Sequence, residues 1–187
     1  MDNNAYLLRC RHTGAGVLID AANEADQILE LVGDAGLDRV ITTHRHQDHW
    51  QALAEVVGTT GARTVAHPLD GEHLPVSVDE PVEHGGQIPV GESLLDVIHL
   101  RGHTPGSIAL RYDEPGGRTH LFTGDSLFPG GVGKTQGDPQ FRSLIEDVEQ
   151  RVFGELDDAT WVYPGHGQDT TLGDERPQLT EWHARGW

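Results

Sequence analysis

Residues 44–49, His44-Arg45-His46-Gln47-Asp48-His49, place three imidazoles and a carboxylate within six positions. Such donors suit zinc, iron or manganese, whereas calcium and magnesium sites are built from oxygen. In an extended segment alternate side chains share a face, so His44, His46 and Asp48 are expected to point one way, with His49 just beyond as the chain turns. One short segment could then serve two ions. A histidine-rich stretch can also be no more than a solvated loop. Against that, His103, Asp125 and His166 recur downstream, each beside a glycine and each a few residues past a strand-like run, while His12, His99 and His120 are scattered without such a pattern.

The elements that must position these donors follow from the apolar pattern. Runs 39–43, 94–100, 119–123 and 160–163 read as strands whose exits carry His44, His103, Asp125 and His166. Glycine at such exits lets the backbone crowd an ion with no Cβ in the way. Upstream, 5–11 and 15–20 form a hairpin around Gly14 and Gly16. Asn23 is placed to cap a helix with Asp26 at its third position, Ile28, Leu29 and Val32 on one face, and Gly33 as its stop. A second helix is expected over 50–57, closed by Gly58, then a strand at 63–66 and a loop over 69–86, rich in Gly, Pro, Asp and Glu. Strand 107–112 returns through a turn at 114–117 into 119–123. The clearest helix opens at Asp138-Pro139, as cap and first residue, and carries Phe141, Leu144, Ile145, Val148, Val152, Phe153 and Leu156 in one apolar stripe that reads as packing. A polar tail follows residue 167.

With 187 residues the chain is expected to form one domain over 1–187. Its net charge of −17 argues against nucleic acid or an anionic membrane surface as partner, since both require a basic footprint. The single cysteine, Cys10, excludes an internal disulfide and suits a reducing compartment. With no apolar run of membrane-span length and no basic-then-apolar leader, a cytoplasmic location is expected. Lys134 is the one lysine, and it follows the glycine loop Gly130-Gly131-Val132-Gly133. Gly133-Lys134-Thr135 is not a phosphate-binding P-loop, because Phe128 stands where that motif needs glycine. His67, His73 and His84 read as surface histidines, Trp50 as core, and Ser107 and Ser126 as hydrogen-bonding scaffold.

Taken in order, the His-x-His-x-Asp-His segment, Gly102-His103-Thr104-Pro105-Gly106-Ser107, Phe122-Thr123-Gly124-Asp125-Ser126-Leu127-Phe128 and Pro164-Gly165-His166-Gly167 resemble the metallo-β-lactamase-fold hydrolases over nearly the whole chain, and among them the glyoxalase II-like branch. The resemblance implies an α/β fold, an αββα sandwich of two mixed sheets flanked by helices, with a metal site at one edge. It implies that His44, His46 and His103 hold one divalent ion, that Asp48, His49 and His166 hold a second, and that Asp125 bridges them. Zinc comes first among the ions, with iron or manganese also compatible, and the substrate is a small molecule. Lys134 matches a substrate-binding basic residue of that branch, and Gln136 replaces an aromatic that touches the thiol carrier. Asp125 stands where the best-known zinc β-lactamases carry cysteine, which disfavours lactamase activity. The chain stops at Trp187, ahead of the C-terminal helical region that helps full-length glyoxalase II bind glutathione, and a family strand is expected before the one that begins at Ala5.

The implied chemistry is hydrolysis of a thioester or ester-like bond. Two cations roughly 3.5–4 Å apart share a water and lower its pKa toward ~7, and they polarise the carbonyl and stabilise the leaving thiolate or alkoxide. Asp48 would orient the nucleophile as well as serve as a ligand. Two alternatives share the scaffold. A mononuclear iron persulfide dioxygenase would use only His44, His103 and Asp125, but that family follows the glycine loop with Arg-Thr-Asp-Phe where this chain has Lys134-Thr135-Gln136-Gly137. Lactone or phosphodiester hydrolysis, or metal binding without turnover, is the other; RNA as substrate would want a basic surface.

Overall fold

The computed structural model describes residues 2–186; Met1 and Trp187 lie outside the described residues. Strands β1 (Tyr6–Arg9), β2 (Gly16–Ile19), β3 (Arg39–Ile41), β4 (Arg63–Ala66) and β5 (Glu80–Pro81) lie side by side in that order, β1 antiparallel to β2 and the rest parallel. A second sheet has the order β13 (Thr170–Thr171), β12 (Trp161–Pro164), β9 (Thr119–Gly124), β8 (Ile108–Asp113), β7 (Ser93–His99), β6 (Gln87–Val90), with β12 and β9 parallel and the other pairs antiparallel. A short ribbon pairs β10 (Leu127–Phe128) with β11 (Gly131–Val132).

Alternation along these strands decides the layering. Val17, Ile19, Ile41 and Val65 meet Val97, Ile108, Leu110 and Phe122 between the sheets. Their neighbours Leu18 and Val40 face outward to Ile28 and Val32 of α1 (Ala25–Val32) and Leu53 and Val56 of α2 (Leu53–Thr60). On the far side, Ile98, Ala109, Leu121 and Val162 pack under Leu144, Ile145 and Val148 of the long helix 138–148. Each fully buried aliphatic or aromatic side chain in these layers contributes roughly 1.5–3 kcal/mol. The result is the αββα sandwich of two mixed sheets that the motif order implies.

Local detail departs from the expectations in physically readable ways. Glu24, in the left-handed region at φ 53°, is the residue ahead of α1, and Asn23 makes no cap. The second helix starts at Leu53 and runs through Gly58 to stop at Gly61, whose φ of 71° suits a helix end, so packing of Val56 overrides a helical glycine. The stretch 69–86 is not all loop: it holds part of α3 (Pro68–Gly71), whose cap is the His67 side chain accepting from the Leu69 N–H, and the edge strand β5. The long helix, α4 (Asp138–Val148), takes Gly137 as its cap, with Asp138 and Pro139 as its first two residues, and a π-turn at Glu149–Phe153 carries the stripe on to Val152 and Phe153. The polar tail folds into α5 (Leu172–Glu175) and α6 (Leu179–Arg185), and Trp182 is fully buried against Phe153. Among the described residues no helix is long and apolar enough to cross a membrane.

Candidate metal centre

Because β7 and β9 are both antiparallel to β8, and β12 is parallel to β9, three strands of the second sheet run the same way and end at one edge. Their exits carry His103, Asp125 and His166. From the first sheet β3 ends at the same edge, where the Ile108 N–H donates to Thr43 O at 3.0 Å and ties the sheets together beside His44. In the 44–49 segment the chain bends at His44 and Arg45, His46 is extended at φ −69° and ψ 138°, and Gln47–His49 is a turn of 3-10 helix. Asp48 and His49 therefore do not continue the face of His44 and His46 but swing to a second position, with His49 fully buried.

All seven residues singled out as donors meet there, in two groups. His44, His46, His103 and Asp125 each offer a ligand atom within 4.8 Å of the others, and so do Asp48, His49 and His166. Asp125 reaches across both: Oδ2 lies 3.9 Å from His44 Nε2, 3.5 Å from His103 Nε2 and 3.4 Å from His166 Nε2, and Oδ1 lies 3.3 Å from His49 Nε2. His166 Nε2 is 3.3 Å from Asp48 Oδ2. Donors around a tetrahedral ion with bonds of 2.0–2.1 Å stand roughly 3.4 Å apart, so these spacings suit coordination. Among the described residues the buried His44 Nε2, His103 Nε2 and Asp125 Oδ1 have no hydrogen-bond partner; the His49 contact with Oδ1 is close but not in hydrogen-bonding geometry. Buried polar atoms left unpaired are costly, and cations held by the two groups would satisfy them. A Cβ at Gly165 would come within 2.3 Å of Asp125 Oδ1, so only glycine leaves that cradle open.

Protonation preferences agree with a cation site. Burial, with the neighbouring His49 and His103 imidazoles, pushes His44 well below the usual imidazole range, and burial lowers His103 against the pull of Asp125. Both are then neutral, the form that ligates. Burial would lower His49 too, but the Asp20 and Asp125 carboxylates outweigh it and raise it to about 10: positive charge is favoured where two carboxylates converge. Asp48 and Asp125 are held below the usual carboxylate range despite their burial, Asp48 chiefly by the Asn3 hydrogen bond and Asp125 by His49.

The sequence profile described as "Metallo-beta-lactamase superfamily" matches residues 1–166. The chain belongs to that superfamily. It is 33% identical to a hydroxyacylglutathione hydrolase of a Polaromonas species over 88% of its own length, and it spans 62% of the length of that relative. Among solved structures it resembles ETHE1 from Myxococcus xanthus, with TM-score 0.85, 28% identity and coverage of 98% of this chain and 80% of the other. It also resembles TTHA1623, solved in a di-iron-bound form, with TM-score 0.77, 32% identity and coverage of 93% and 92%.

Around this superfamily site stand residues that the motifs did not point to. Asp20, at φ 57° just past β2, is buried; its Oδ2 accepts from Thr43 Oγ1 at 2.7 Å and lies 2.8 Å from His49 Nδ1, while Oδ1 accepts from the Thr43 N–H. A left-handed non-glycine residue is strained, and the convergent hydrogen bonds hold it there to orient His49. Asn3 Nδ2 donates to Asp48 O at 3.0 Å and to Asp48 Oδ2 at 3.1 Å. Asp70, buried in α3, accepts from the Arg45 and Gly106 N–H groups and from Thr104 Oγ1, so one carboxylate joins the loops of His44 and His103. The positive φ expected of neither Asp20 nor Glu24 from sequence, and partners tens of residues away, left no local signal. Lys134 touches the site through its backbone, its carbonyl lying 2.7 Å from His103 Nδ1, while the residue itself is exposed.

The remaining highlighted residues fall into place. Trp50 is half-buried and donates from Nε1 to Arg45 O at 2.8 Å. His67 is buried and stacks on His99, so it is not the surface residue expected, while His73, which pairs with Arg45, and His84 are exposed as expected. Ser107 Oγ accepts from the Thr104 N–H as scaffold; Ser126 Oγ is buried and makes no hydrogen bond among the described residues, unlike the scaffold role expected of it.

Proposed function

We propose that this protein is a dinuclear metal-dependent hydrolase that cleaves a thioester or ester-like bond of a small-molecule substrate. The observation that carries this reading is the carboxylate of Asp125, which lies within 4 Å of donors from both groups, so that two sites share one ligand. The likeness to a hydroxyacylglutathione hydrolase and to a di-iron protein supports it. His44, His46 and His103 would hold one ion, Asp48, His49 and His166 the other, and Asp125 both, with zinc first and iron or manganese also fitting the donor set.

Two such ions, when bound, supply Lewis acidity and lower the pKa of water toward ~7. Asp48, steadied by Asn3, accepts a hydrogen bond from the attacking water and orients it toward the substrate carbonyl. His103 is kept in one tautomer, its Nδ1–H donating to Lys134 O, and His49 in turn donates from Nδ1 to Asp20. Lys134 contacts an anionic part of the substrate from the rim; Lys134→Ala is expected to raise KM several-fold with kcat little changed, and an unchanged KM for an anionic substrate would remove this role.

The deciding experiment loads the purified protein with zinc, iron or manganese, measures ions per chain, and follows thiol release from S-lactoylglutathione and simpler thioesters beside oxygen uptake. Two ions per chain and thiol release without oxygen consumption are expected. Persulfide-dependent oxygen uptake by a protein with one iron, and no thioester cleavage with any metal, would replace the hydrolase by the one-iron dioxygenase.

A further inference from the structure

A cleft of about 370 Å³ opens beside His103, walled by Arg45, Arg101, Gln136, Gln140 and Ser143. The chain carries a net charge of −17, yet none of the residues lining this cleft is acidic and two are arginines. The Arg101 guanidinium is braced by a buried carboxylate behind it, and the Arg45 guanidinium is held by His73. Asp147, buried in α4, accepts from Arg101 Nε at 2.8 Å, from Nη2 at 2.6 Å and from its backbone N–H at 2.9 Å. Nη1 of Arg101 makes no hydrogen bond among the described residues, and the side chain is half-exposed. Arg45 donates from Nη1 to His73 Nε2 at 3.0 Å, and its Nε stays 4.0 Å from Asp70, whose oxygens are already occupied by Thr104, Gly106 and the Arg45 N–H. Two fixed cations with free donors thus face a space that shares His103 with the candidate metal centre.

We infer that this cleft is an anion subsite, and that the substrate carries a carboxylate which Arg45 and Arg101 bind while the scissile bond lies at the metal centre. The inference rests on the hydrolase reading and narrows its substrate class. A carboxylate matches the planar guanidinium fork, and the contacts of Arg101 with Asp147 and of Arg45 with His73 reduce the side-chain ordering that binding would cost. The carboxylate can belong to the acyl half or to the thiol half of the substrate.

Binding is read first, without turnover. Metal-loaded protein is titrated with 4-(methylthio)butanoate, an inert thioether, and with its neutral primary amide, by NMR. The acid should bind about tenfold more tightly than the amide. That preference should collapse in Arg45→Gln and in the double variant Arg101→Gln with Asp147→Asn, which replaces the ion pair as a unit so that no carboxylate is left buried alone. Equal binding of acid and amide, or a preference that survives in both variants because the carboxylate sits elsewhere, overturns the subsite. Turnover then assigns the half: of a succinyl thioester of N-acetylcysteamine and an acetyl thioester of 3-mercaptopropionate, the one whose KM rises about tenfold in Arg45→Gln carries the recognised carboxylate. Absence of turnover on every thioester sinks the hydrolase reading alone, because the thioether titration still decides the subsite.

Discussion

In the group formed by His44, His46, His103 and Asp125, two of the three imidazoles are almost fully enclosed, with side-chain exposures of 0% for His44 and 8% for His103, and each has its second ring nitrogen against a fixed oxygen, Thr43 Oγ1 or Lys134 O. In the group formed by Asp48, His49 and His166, only His49 is so enclosed and braced. Asp48 is 19% exposed and His166 is 27% exposed, and the second nitrogen of His166 makes no hydrogen bond among the described residues. A ligand whose ring is locked by an outer hydrogen bond loses less freedom on binding and is the better donor. The difference teaches that the two groups are not equivalent: two histidines of the first are enclosed and braced, while the second includes residues at the solvent edge.

Removing the shared ligand should erase the contrast altogether. Asp125→Ala is expected to lose both ions and lower kcat/KM by a factor on the order of a thousand or more, since a first ligand and the charge common to both groups disappear together. Metal analysis after dialysis reads this directly, and two tightly held equivalents in the variant would show that Asp125 joins nothing. One step smaller is the asymmetry itself. His166→Ala should retain about one ion per chain, whereas His103→Ala should weaken retention at the enclosed group, and a chelator titration of the parent should remove its two ions in separate stages. Equal loss in both variants, with a single stage in the parent, would break the comparison.

The smallest effect expected lies behind the first group. Asp147 ties Arg101, at the root of the His103 loop, to α4. Burial alone would raise its pKa, but the Arg101 hydrogen bonds hold it below the usual carboxylate range. A depressed native pKa stabilises the fold at every pH above the unfolded value of about 4, and that contribution is lost as pH falls through the native value. Asp147→Asn should cost about 1–2 kcal/mol at pH 7, with Arg101 half in solvent limiting the loss, and the variant and the parent should converge in urea unfolding as the pH falls through the native value of Asp147. A constant gap across that range would mean that shape, not charge, holds the loop.

What the sequence made legible was whatever repeats at short range. Strand exits at His44, His103, Asp125 and His166 could be found because β-branched runs end abruptly at a glycine or at a second donor. The αββα layering followed from resemblance and is visible in the alternation of Val17, Leu18 and Ile19. Hidden were features fixed by contacts across the chain. The 3-10 turn that separates Asp48 and His49 from His46 changes one backbone angle, not a residue pattern. Asp20 and Asp70 act on partners more than twenty positions away, and nothing beside them in sequence marks them from any surface aspartate. The helix around Trp182 escaped notice because one large side chain anchors it, too little to make a period.

Each ligand group draws on both sheets: His44 and His46 with His103 and Asp125, and Asp48 and His49 with His166. A cation bound at either position would therefore staple the two sheets together and would favour the folded state, where the donors converge. By mass action the free ion concentration would then become a setting of thermal stability, worth about 2.7 kcal/mol at a hundred times the dissociation constant. Scarcity of the ion would then loosen the whole molecule along with its chemistry, so that a starved protein is more exposed to unfolding and proteolysis than a replete one.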